Sequence, residues 1–372
     1  MKYTRMVIEK ESPEEYGYDQ IRFNLSESSV RDRRLSDFGL QVPDLLLPYG
    51  EHRGDRQLRA LVAADGESLG ADDVLVTAGA AGALFIIATT LLSREDHLVV
   101  VRPNYATNIE TPRAIGCAIT FIDLDFEQGF ELDIDAIARA IRPNTRYVSI
   151  TCPHNPTGAV IDRALLDALV AMVERAGCRL LVDETYRDLT HGTKLPVAAS
   201  LSPSVISVAS LSKAYGAPGI RVGWIVTRDT ELMERFLAAK EQIGICGSVL
   251  DEWVGARILE QREAFLAGQL PVLAERLAIM HEWVAKDQLI EWVEPKGGVV
   301  CFPRFRHGPG FDFDSFYADL LESYGVYVGP GHWFEMPRNY MRIGFVYPHE
   351  DELRGGLEAI SAAIRKHSAG RA

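Results

Sequence analysis

Three segments of the chain join an apolar run to a polar turn: RYVSITCPHNPTG (146–158), RLLVDETY (179–186) and VISVASLSK (205–213). Similar β-branched runs occur at 97–101, 118–122 and 222–226. Amphipathic helical patterns lie between them, as at residues 162–177. Apolar strands that alternate with helices are typical of a mostly parallel sheet that is covered on both faces. The sequence therefore predicts an α/β domain, and ligands of such domains bind at the carboxyl ends of the strands.

The pattern changes in the last third of the chain. A long helical pattern runs from about residue 230 to 286, and strand-like segments of a smaller α+β unit follow it. A predicted helix at 350–366 closes this unit. The first 45 residues, which are interrupted by proline and arginine, are expected to pack on it. We therefore predict a large domain at 46–286 and a small domain formed by 1–45 and 287–372.

Composition argues against several classes of function. The formal net charge of −13 disfavours a nucleic-acid partner, which requires a basic face. The five cysteines are scattered, with no C-x-x-C pair for a metal or redox site, and fit a reduced, cytoplasmic protein. The first residues lack the apolar core of a signal peptide. The longest apolar stretch, 82–92, is shorter than the ~20 residues of a membrane span, so we expect no membrane insertion.

A lysine and an arginine follow the predicted strand at 205–209. Lys213 lies in the motif Ser210-Leu211-Ser212-Lys213, and Arg221 follows eight residues later. Serine hydroxyls with a nearby guanidinium form a phosphate site that has its own counter-ion. A surface lysine in a polar loop is the alternative explanation of this motif when it is taken alone.

The strands at 179–183 and 146–150 also lead into polar residues. Asp183 can pair with a protonated ring nitrogen and raise the pKa of that nitrogen, and Tyr186 follows three residues later. Asn155 lies between two prolines, which restrict the backbone and fix the direction of its amide. Each motif has an ordinary alternative, because Asp183 can cap a helix and the Asn155 segment can be a plain turn.

Three further positions suggest contacts with an anion or a ring. Small residues at a predicted helix start let the backbone of Ala80 and Ala81 approach a phosphate, although tight helix packing explains them equally well. Tyr105 can stack on an aromatic ring or belong to the core. Arg342 lies in an otherwise apolar strand and needs an anionic partner, either a substrate carboxylate or an acid of the chain itself.

Together these residues meet the requirements of pyridoxal 5'-phosphate (PLP), which needs a lysine, an acid at the ring nitrogen, phosphate anchors and donors to the O3' oxygen. Over nearly its full length the chain also resembles the class I/II aminotransferases of PLP fold type I. The shared motifs are N-P-T-G at 155–158, D-x-x-Y at 183–186, S-x-S-K at 210–213, R-x-G at 221–223 and an arginine at 342. This resemblance implies a mostly parallel, seven-stranded type of sheet flanked by helices, plus a smaller α+β domain.

The resemblance also implies a role for each matching residue. Lys213 would hold PLP as a Schiff base and move the Cα proton of an amino acid, Asp183 would pair with the pyridinium, and Asn155 and Tyr186 would donate to O3'. The other cofactor contacts would be Ser210, Ser212, Arg221, Ala80 and Ala81 at the phosphate, Tyr105 on the ring, and Tyr49 at the phosphate of a neighbouring subunit. Arg342 and Asn155 would bind the substrate. A homodimer with shared active sites is implied, as is a reaction through an external aldimine and a quinonoid.

A finer resemblance concerns the segments FNLSESSV (23–30), PNYATN (103–108) and PHN (153–155). They are similar to a branch of the family that uses PLP and O2 to oxidise L-arginine, by desaturation or hydroxylation with release of ammonia. Glu27 and Glu241 would then bind the guanidinium, although either can be a solvated acid. Hydroxylating members carry a histidine in the N-terminal segment, whereas the first histidine here is His52, so desaturation is favoured.

Other functions fit the same cofactor. Transfer of the amino group from an L-amino acid to a 2-oxo acid begins with the same proton removal, and it is the alternative function. A PLP-binding regulator would need a DNA-binding module, for which the first 45 residues leave no room. A scaffold without catalysis would be expected to lack Lys213 or Asp183, so both non-enzymatic functions are disfavoured.

Overall fold

The computed structural model describes residues 1–369. Its strands are β1 (Phe23–Asn24), β2 (Val74–Ala78), β3 (His97–Arg102), β4 (Ala118–Asp123), β5 (Thr145–Thr151), β6 (Arg179–Asp183), β7 (Val205–Ser210), β8 (Val222–Val226), β9 (Ile290–Glu291), β10 (Val300–Cys301), β11 (Arg304–Phe305), β12 (Val326–Tyr327), β13 (Gly329–Pro330) and β14 (Met341–Gly344). Its α-helices are α1 (Val7–Lys10), α2 (Pro13–Tyr16), α3 (Arg56–Ala63), α4 (Gly79–Leu91), α5 (Thr107–Ile115), α6 (Ile134–Ala140), α7 (Arg163–Ala176), α8 (Thr230–Gly244), α9 (Val249–Glu260), α10 (Arg262–Lys286), α11 (Phe313–Glu322) and α12 (Glu350–Ala369).

Strands β2 to β8 form one central sheet in the order β2-β8-β7-β6-β5-β3-β4. Strands β3 to β7 run parallel to one another, and β8 is antiparallel to both of its neighbours. The predicted α/β fold with a mostly parallel sheet is therefore confirmed. The six predicted strands quoted above end within one residue of the observed strands.

The register of the sheet brings the polar turns together. Thr151, the last residue of β5, pairs with Asp183, the last residue of β6. Asp183 in turn pairs with Val208, two residues before β7 ends at Ser210. Because the carboxyl ends of parallel strands share one edge of the sheet, the turns that follow them meet at that edge.

The helices that cover the sheet follow ordinary helix rules. Helix α7 begins where Asp162 accepts a hydrogen bond from the Leu165 amide at 2.7 Å, and it ends at Gly177, whose φ is 68°. One face of α7, which includes Leu169 and Val173, is fully buried. Helix α4 is apolar around most of its surface because it lies between the sheet and helices α5 and α8.

The long helical pattern between residues 230 and 286 is divided into α8, α9 and α10. Helix α8 ends because Ile245 has a φ of 58°, which a right-handed helix does not allow. Helix α9 then begins at Ser248, whose hydroxyl accepts from the Asp251 amide at 3.3 Å. A continuous amphipathic pattern in the sequence does not reveal a break of this kind.

The C-terminal unit contains β9 to β14, α11 and α12. Strand β1 pairs with β12 in parallel, with Phe23 opposite Val326, so the N-terminal segment packs on this unit. The domain boundaries at 45–46 and 286–287 stay a prediction, and residues 370–372 of the predicted small domain lie outside the described residues. Among residues 1–369, no helix has both the length and the apolar character that a bilayer span requires.

Candidate active site

A cleft of about 360 Å3 lies at the carboxyl edge of the central sheet, where the C-terminal unit and the N-terminal segment cover it. Twelve of the fourteen residues predicted for the site line this cleft. They are Glu27, Ala80, Ala81, Tyr105, Asn155, Asp183, Tyr186, Ser210, Ser212, Lys213, Arg221 and Arg342. The other two, Tyr49 and Glu241, lie elsewhere.

Lys213 lies in the turn that follows β7, and its side chain reaches into the cleft. Among the described residues its amine makes no hydrogen bond and no ion pair. Its backbone is held in place, because the Lys213 carbonyl accepts from the Val30 amide at 3.0 Å. Burial lowers the pKa of Lys213, and the negative charge of Glu27 acts in the opposite direction. The residue thus offers an unengaged amine that is easier to deprotonate than an ordinary lysine.

Asp183 is a buried carboxylate whose direction is fixed by donors. The Thr185 hydroxyl donates to Asp183 Oδ1 at 2.6 Å and the Thr185 amide does so at 3.1 Å. Burial raises the pKa of Asp183, while the Thr185 hydroxyl and amide and the Asn108 side chain oppose that shift. Thr185 and Asn108 were not predicted as site residues, although both lie in motifs quoted above. Their donors stabilise the ionised form of Asp183, which a protonated ring nitrogen needs as its partner.

The turn between β2 and α4 forms a backbone cradle next to Arg221. Helix α4 begins at Gly79, whose φ is 71°, and a Cβ there would lie 2.6 Å from Arg221 Nη2. A Cβ at Gly223 would collide with the Gly79 backbone. The close approach of the Gly79 backbone to Arg221 and to Gly223 therefore requires glycine at positions 79 and 223. A helix start beside a guanidinium and two serine hydroxyls fits a phosphate group.

Arg342 is buried in β14 without a carboxylate partner among the described residues. Its Nη2 donates to the Ser26 carbonyl at 2.7 Å and its Nη1 to Asn155 Oδ1 at 3.3 Å, while its Nε has no partner. The rings of Phe334 and Trp333 lie 5.1 and 5.9 Å from the guanidinium carbon. The alternative of an internal ion pair is therefore wrong for the described residues. A buried guanidinium without a carboxylate partner among the described residues is suited to bind an anionic ligand.

The N-terminal segment contributes three carboxylates to the cleft: Glu9 of α1, Glu14 of α2 and Glu27. None of them forms an ion pair with another described residue. Burial raises the pKa of Glu27, and the charge of Lys213 opposes this shift. Sequence reasoning identified Glu27 but missed Glu9 and Glu14. The cleft thus holds several acids that lack a cationic partner within the chain.

Two tyrosines of the cleft also contact the N-terminal segment. The Tyr186 hydroxyl donates to the Ser28 carbonyl at 2.9 Å, and the Tyr105 hydroxyl donates to Glu9 Oε1 at 3.2 Å. Burial raises the pKa of each phenol to about 12, so both hydroxyls act as donors at neutral pH. The predicted donation from Tyr186 to a cofactor oxygen and the predicted stacking of Tyr105 both stay predictions.

Residues 45–360 match the sequence profile of aminotransferase class I and II. The chain belongs to this family. Capreomycidine synthase of Streptomyces vinaceus is 32% identical over 367 residues, which cover 95% of this chain and 92% of that protein. Arginine–pyruvate transaminase of Pseudomonas aeruginosa is 29% identical over 334 residues, or 86% of this chain and 81% of that protein.

Solved structures of two relatives share the fold of this aminotransferase-family chain. A PLP-dependent aminotransferase from Streptococcus suis has a TM-score of 0.91 and 26% identity, with 99% of each chain covered. The PLP-dependent cyclase OrfR has a TM-score of 0.88 and 27% identity, with 98% of each chain covered. The predicted PLP fold type I is confirmed, and the chain is a PLP-dependent enzyme of the aminotransferase type.

The cleft of this aminotransferase-family enzyme fits PLP in three respects. Its cradle at Gly79 suits the phosphate, the oriented carboxylate of Asp183 suits the ring nitrogen, and the amine of Lys213 has no competing partner. These features come from three different turns at one edge of the sheet. The individual contacts between PLP and each predicted residue stay predictions.

Tyr49 and Glu241 are the two predicted residues that this cleft does not include. Glu241 Oε1 lies 2.6 Å from His52 Nδ1, on helix α8, which packs on α4 and on the edge strand β2. Glu241 therefore does not line the cleft of its own chain, and its predicted contact with the guanidinium stays a prediction. Tyr49 is 82% exposed in a segment without regular structure, and its predicted contact with a neighbouring subunit stays a prediction.

Proposed function

We propose that this enzyme removes the Cα proton of an amino acid with a guanidinium side chain, arginine or a close derivative. The observation that carries the proposal is the set of unpaired charges in one cleft. Arg342 lacks a carboxylate partner, and Glu14 and Glu27 lack a cationic one, among the described residues. A substrate with both a carboxylate and a guanidinium supplies the missing partner to each. The similarity to an arginine–pyruvate transaminase supports this class of substrate.

Each end of the substrate has a chemically suitable partner. Arg342 presents its fork to the α-carboxylate, and Asn155 orients that fork by accepting from Nη1. Glu27 and Glu14 are proposed to bind the guanidinium. Burial raises the pKa of Glu27, and a bound guanidinium would lower it again by stabilising the ionised form. An uncharged side chain gains nothing from these acids.

Lys213 is proposed as the base that removes the Cα proton. PLP, when bound, draws electrons from Cα, and Asp183, Arg221 and the cradle at Gly79 would hold it. The lowered pKa of Lys213 favours the neutral amine, which is the form that accepts a proton. The N-terminal segment lines the cleft through residues of α1, α2 and 26–28. Each candidate reaction that follows proton removal would therefore depend on Lys213.

The step after proton removal has two candidates that specific observations favour. The similarity to an arginine–pyruvate transaminase supports transfer of the amino group to a 2-oxo acid. The similarity to a PLP-dependent cyclase supports ring closure, for which we propose a guanidinium nitrogen as the attacking group. Oxidation of arginine by O2, with desaturation favoured over hydroxylation, has no counterpart among the relatives named above. It stays a prediction that rests on the segments at 23–30, 103–108 and 153–155.

One set of incubations distinguishes these outcomes. The PLP-loaded enzyme is mixed with L-arginine, with and without pyruvate, in an oxygen electrode cell, and the products are identified by mass spectrometry. O2 uptake without pyruvate indicates oxidation, whereas turnover that requires pyruvate and leaves O2 unchanged indicates transamination. Ring closure onto Cβ requires a leaving group there, so 3-hydroxyarginine is the third substrate. Its cyclisation releases one water and uses neither O2 nor pyruvate. The proposal is contradicted if the enzyme turns over neither L-arginine, with or without pyruvate, nor 3-hydroxyarginine.

We also propose that the enzyme is a homodimer with shared active sites. The support is a group of exposed apolar side chains, with Leu46 84%, Leu47 74%, Tyr49 82% and Ile243 60% exposed. Such a concentration of apolar surface is unusual for a monomer. Light scattering of the wild type is expected to give twice the mass of the chain. Leu46→Glu is expected to give monomers, and Leu270→Glu, on the exposed side of α10, serves as the control. A monomeric wild type would contradict the proposal.

A further inference from the structure

We propose that Tyr18 holds the carboxylate of Glu27 ionised, and that it thereby determines the preference of the cleft for a guanidinium. This inference rests on the proposed function. Tyr18 lies in the turn between α2 and β1, outside the residues that line the cleft. Its hydroxyl donates to Glu27 Oε1 at 3.0 Å. No other described residue donates a hydrogen bond to the Glu27 side chain.

Glu27 depends on this donor because its surroundings oppose its charge. Burial raises the pKa of Glu27, and the neighbouring acid Glu14 raises it further. The charge of Lys213, the hydrogen bond from Tyr18 and the charge of Arg342 act in the opposite direction. Loss of the Tyr18 hydroxyl therefore raises the pKa of Glu27 and increases the neutral fraction at a given pH. A neutral carboxyl group attracts a guanidinium much less than a carboxylate does.

The chemical type of the donor matters as much as its position. A lysine or arginine at position 18 would stabilise the Glu27 carboxylate, but it would also neutralise its charge and compete with the substrate for it. A phenol stabilises the carboxylate without adding a positive charge. Burial raises the phenol pKa of Tyr18, as do the charges of Glu27 and Glu14, so the hydroxyl keeps its proton and remains a donor. Tyr18 thus acts as a positioning residue for Glu27 and need not touch the substrate.

The test compares the PLP-loaded wild type with Tyr18→Phe, which removes one hydroxyl and keeps the ring. Binding of L-arginine and of L-citrulline, its uncharged analogue, is followed through the visible absorbance of the bound cofactor between pH 6 and 9. Tyr18→Phe is expected to weaken arginine binding about tenfold near pH 7, the effect of one hydrogen bond to a charged group. Citrulline binding is expected to change less than twofold, which also shows that the cleft is still folded.

The pH dependence separates this role from a merely structural one. Arginine binding is lost as pH falls through the pKa of Glu27. Because Tyr18→Phe raises that pKa, the loss is expected at higher pH in the variant. Tyr317→Phe is the control, since it removes a phenol hydroxyl that donates at 2.6 Å to the Arg338 carbonyl, and neither residue lines the cleft.

The results distinguish failure of this inference from failure of the proposed function. A wild type that binds citrulline as tightly as arginine would overturn both, because no guanidinium site would then exist. A wild type that prefers arginine, together with a Tyr18→Phe variant of unchanged preference and unchanged pH dependence, would overturn the role of Tyr18 alone. Preference for arginine in the wild type, reduced about tenfold in Tyr18→Phe and unchanged in Tyr317→Phe, is the expected result.

Discussion

Glu27→Gln removes the charge proposed to select the substrate while it keeps the size of the side chain. The new amide oxygen can still accept from the Tyr18 hydroxyl, so the local contact at 3.0 Å is retained. A hydrogen bond between charged groups contributes about 1.5–3 kcal/mol, and about 1.4 kcal/mol corresponds to a factor of ten. We therefore expect kcat/KM with arginine to fall about 10- to 100-fold.

The assay measures initial rates with arginine and with citrulline at several pH values, for the wild type and for Glu27→Gln. Citrulline is expected to react at similar rates with both enzymes, because its uncharged side chain forms no ion pair with Glu27. Glu294→Gln is the control, since Glu294 contacts His281 outside the cleft and is expected to retain the wild-type rate. Equal losses with arginine and citrulline would assign Glu27 to the reaction centre. An unchanged rate with arginine would refute the proposed guanidinium site.

Two further substitutions test the opposite end of the substrate and the cofactor cradle. Arg342→Lys is expected to lower kcat/KM for every amino acid about 100-fold, because lysine lacks the planar fork, while the visible absorbance of bound PLP stays unchanged. Loss of that absorbance would instead place Arg342 at the cofactor. Gly79→Ala is expected to release PLP faster on dialysis, because its φ is 71° and the new Cβ lies 2.6 Å from Arg221 Nη2. Gly82→Ala, on the same helix with ordinary contacts of 3.5 Å or more, is the control, and equal retention of PLP by both variants would contradict the proposed cradle.

The sheet and the residues at its carboxyl edge could be predicted because their sequence pattern is local. Each parallel strand is an apolar run buried on both faces, and a polar turn follows it directly. Asp183 and Lys213 lie at or just after such strand ends, and parallel strands bring those ends together. In the structure, Asp183 at the end of β6 accordingly pairs with Thr151 at the end of β5.

The acidic part of the cleft could not be predicted in full, because it depends on contacts between distant segments. Glu9 and Glu14 lie in helices of four residues, which are too short to show a helical period. Their place over the cleft depends on contacts such as that between Glu9 and Tyr105. For Glu241, the sequence pattern identified a helix but could not show that this helix packs on α4 and β2, with Glu241 next to His52.

Exchange of the Cα proton of arginine with solvent is the most direct test of the central claim. The PLP-loaded enzyme is incubated with L-arginine in D2O, without O2 and without a 2-oxo acid, and the recovered arginine is analysed by mass spectrometry and NMR. We predict deuterium at Cα with the wild type, and at least 100-fold slower exchange with Lys213→Ala, since a positioned base contributes about 10²–10⁴-fold. Absence of exchange with the wild type, or equal exchange with Lys213→Ala, would contradict the proposed function.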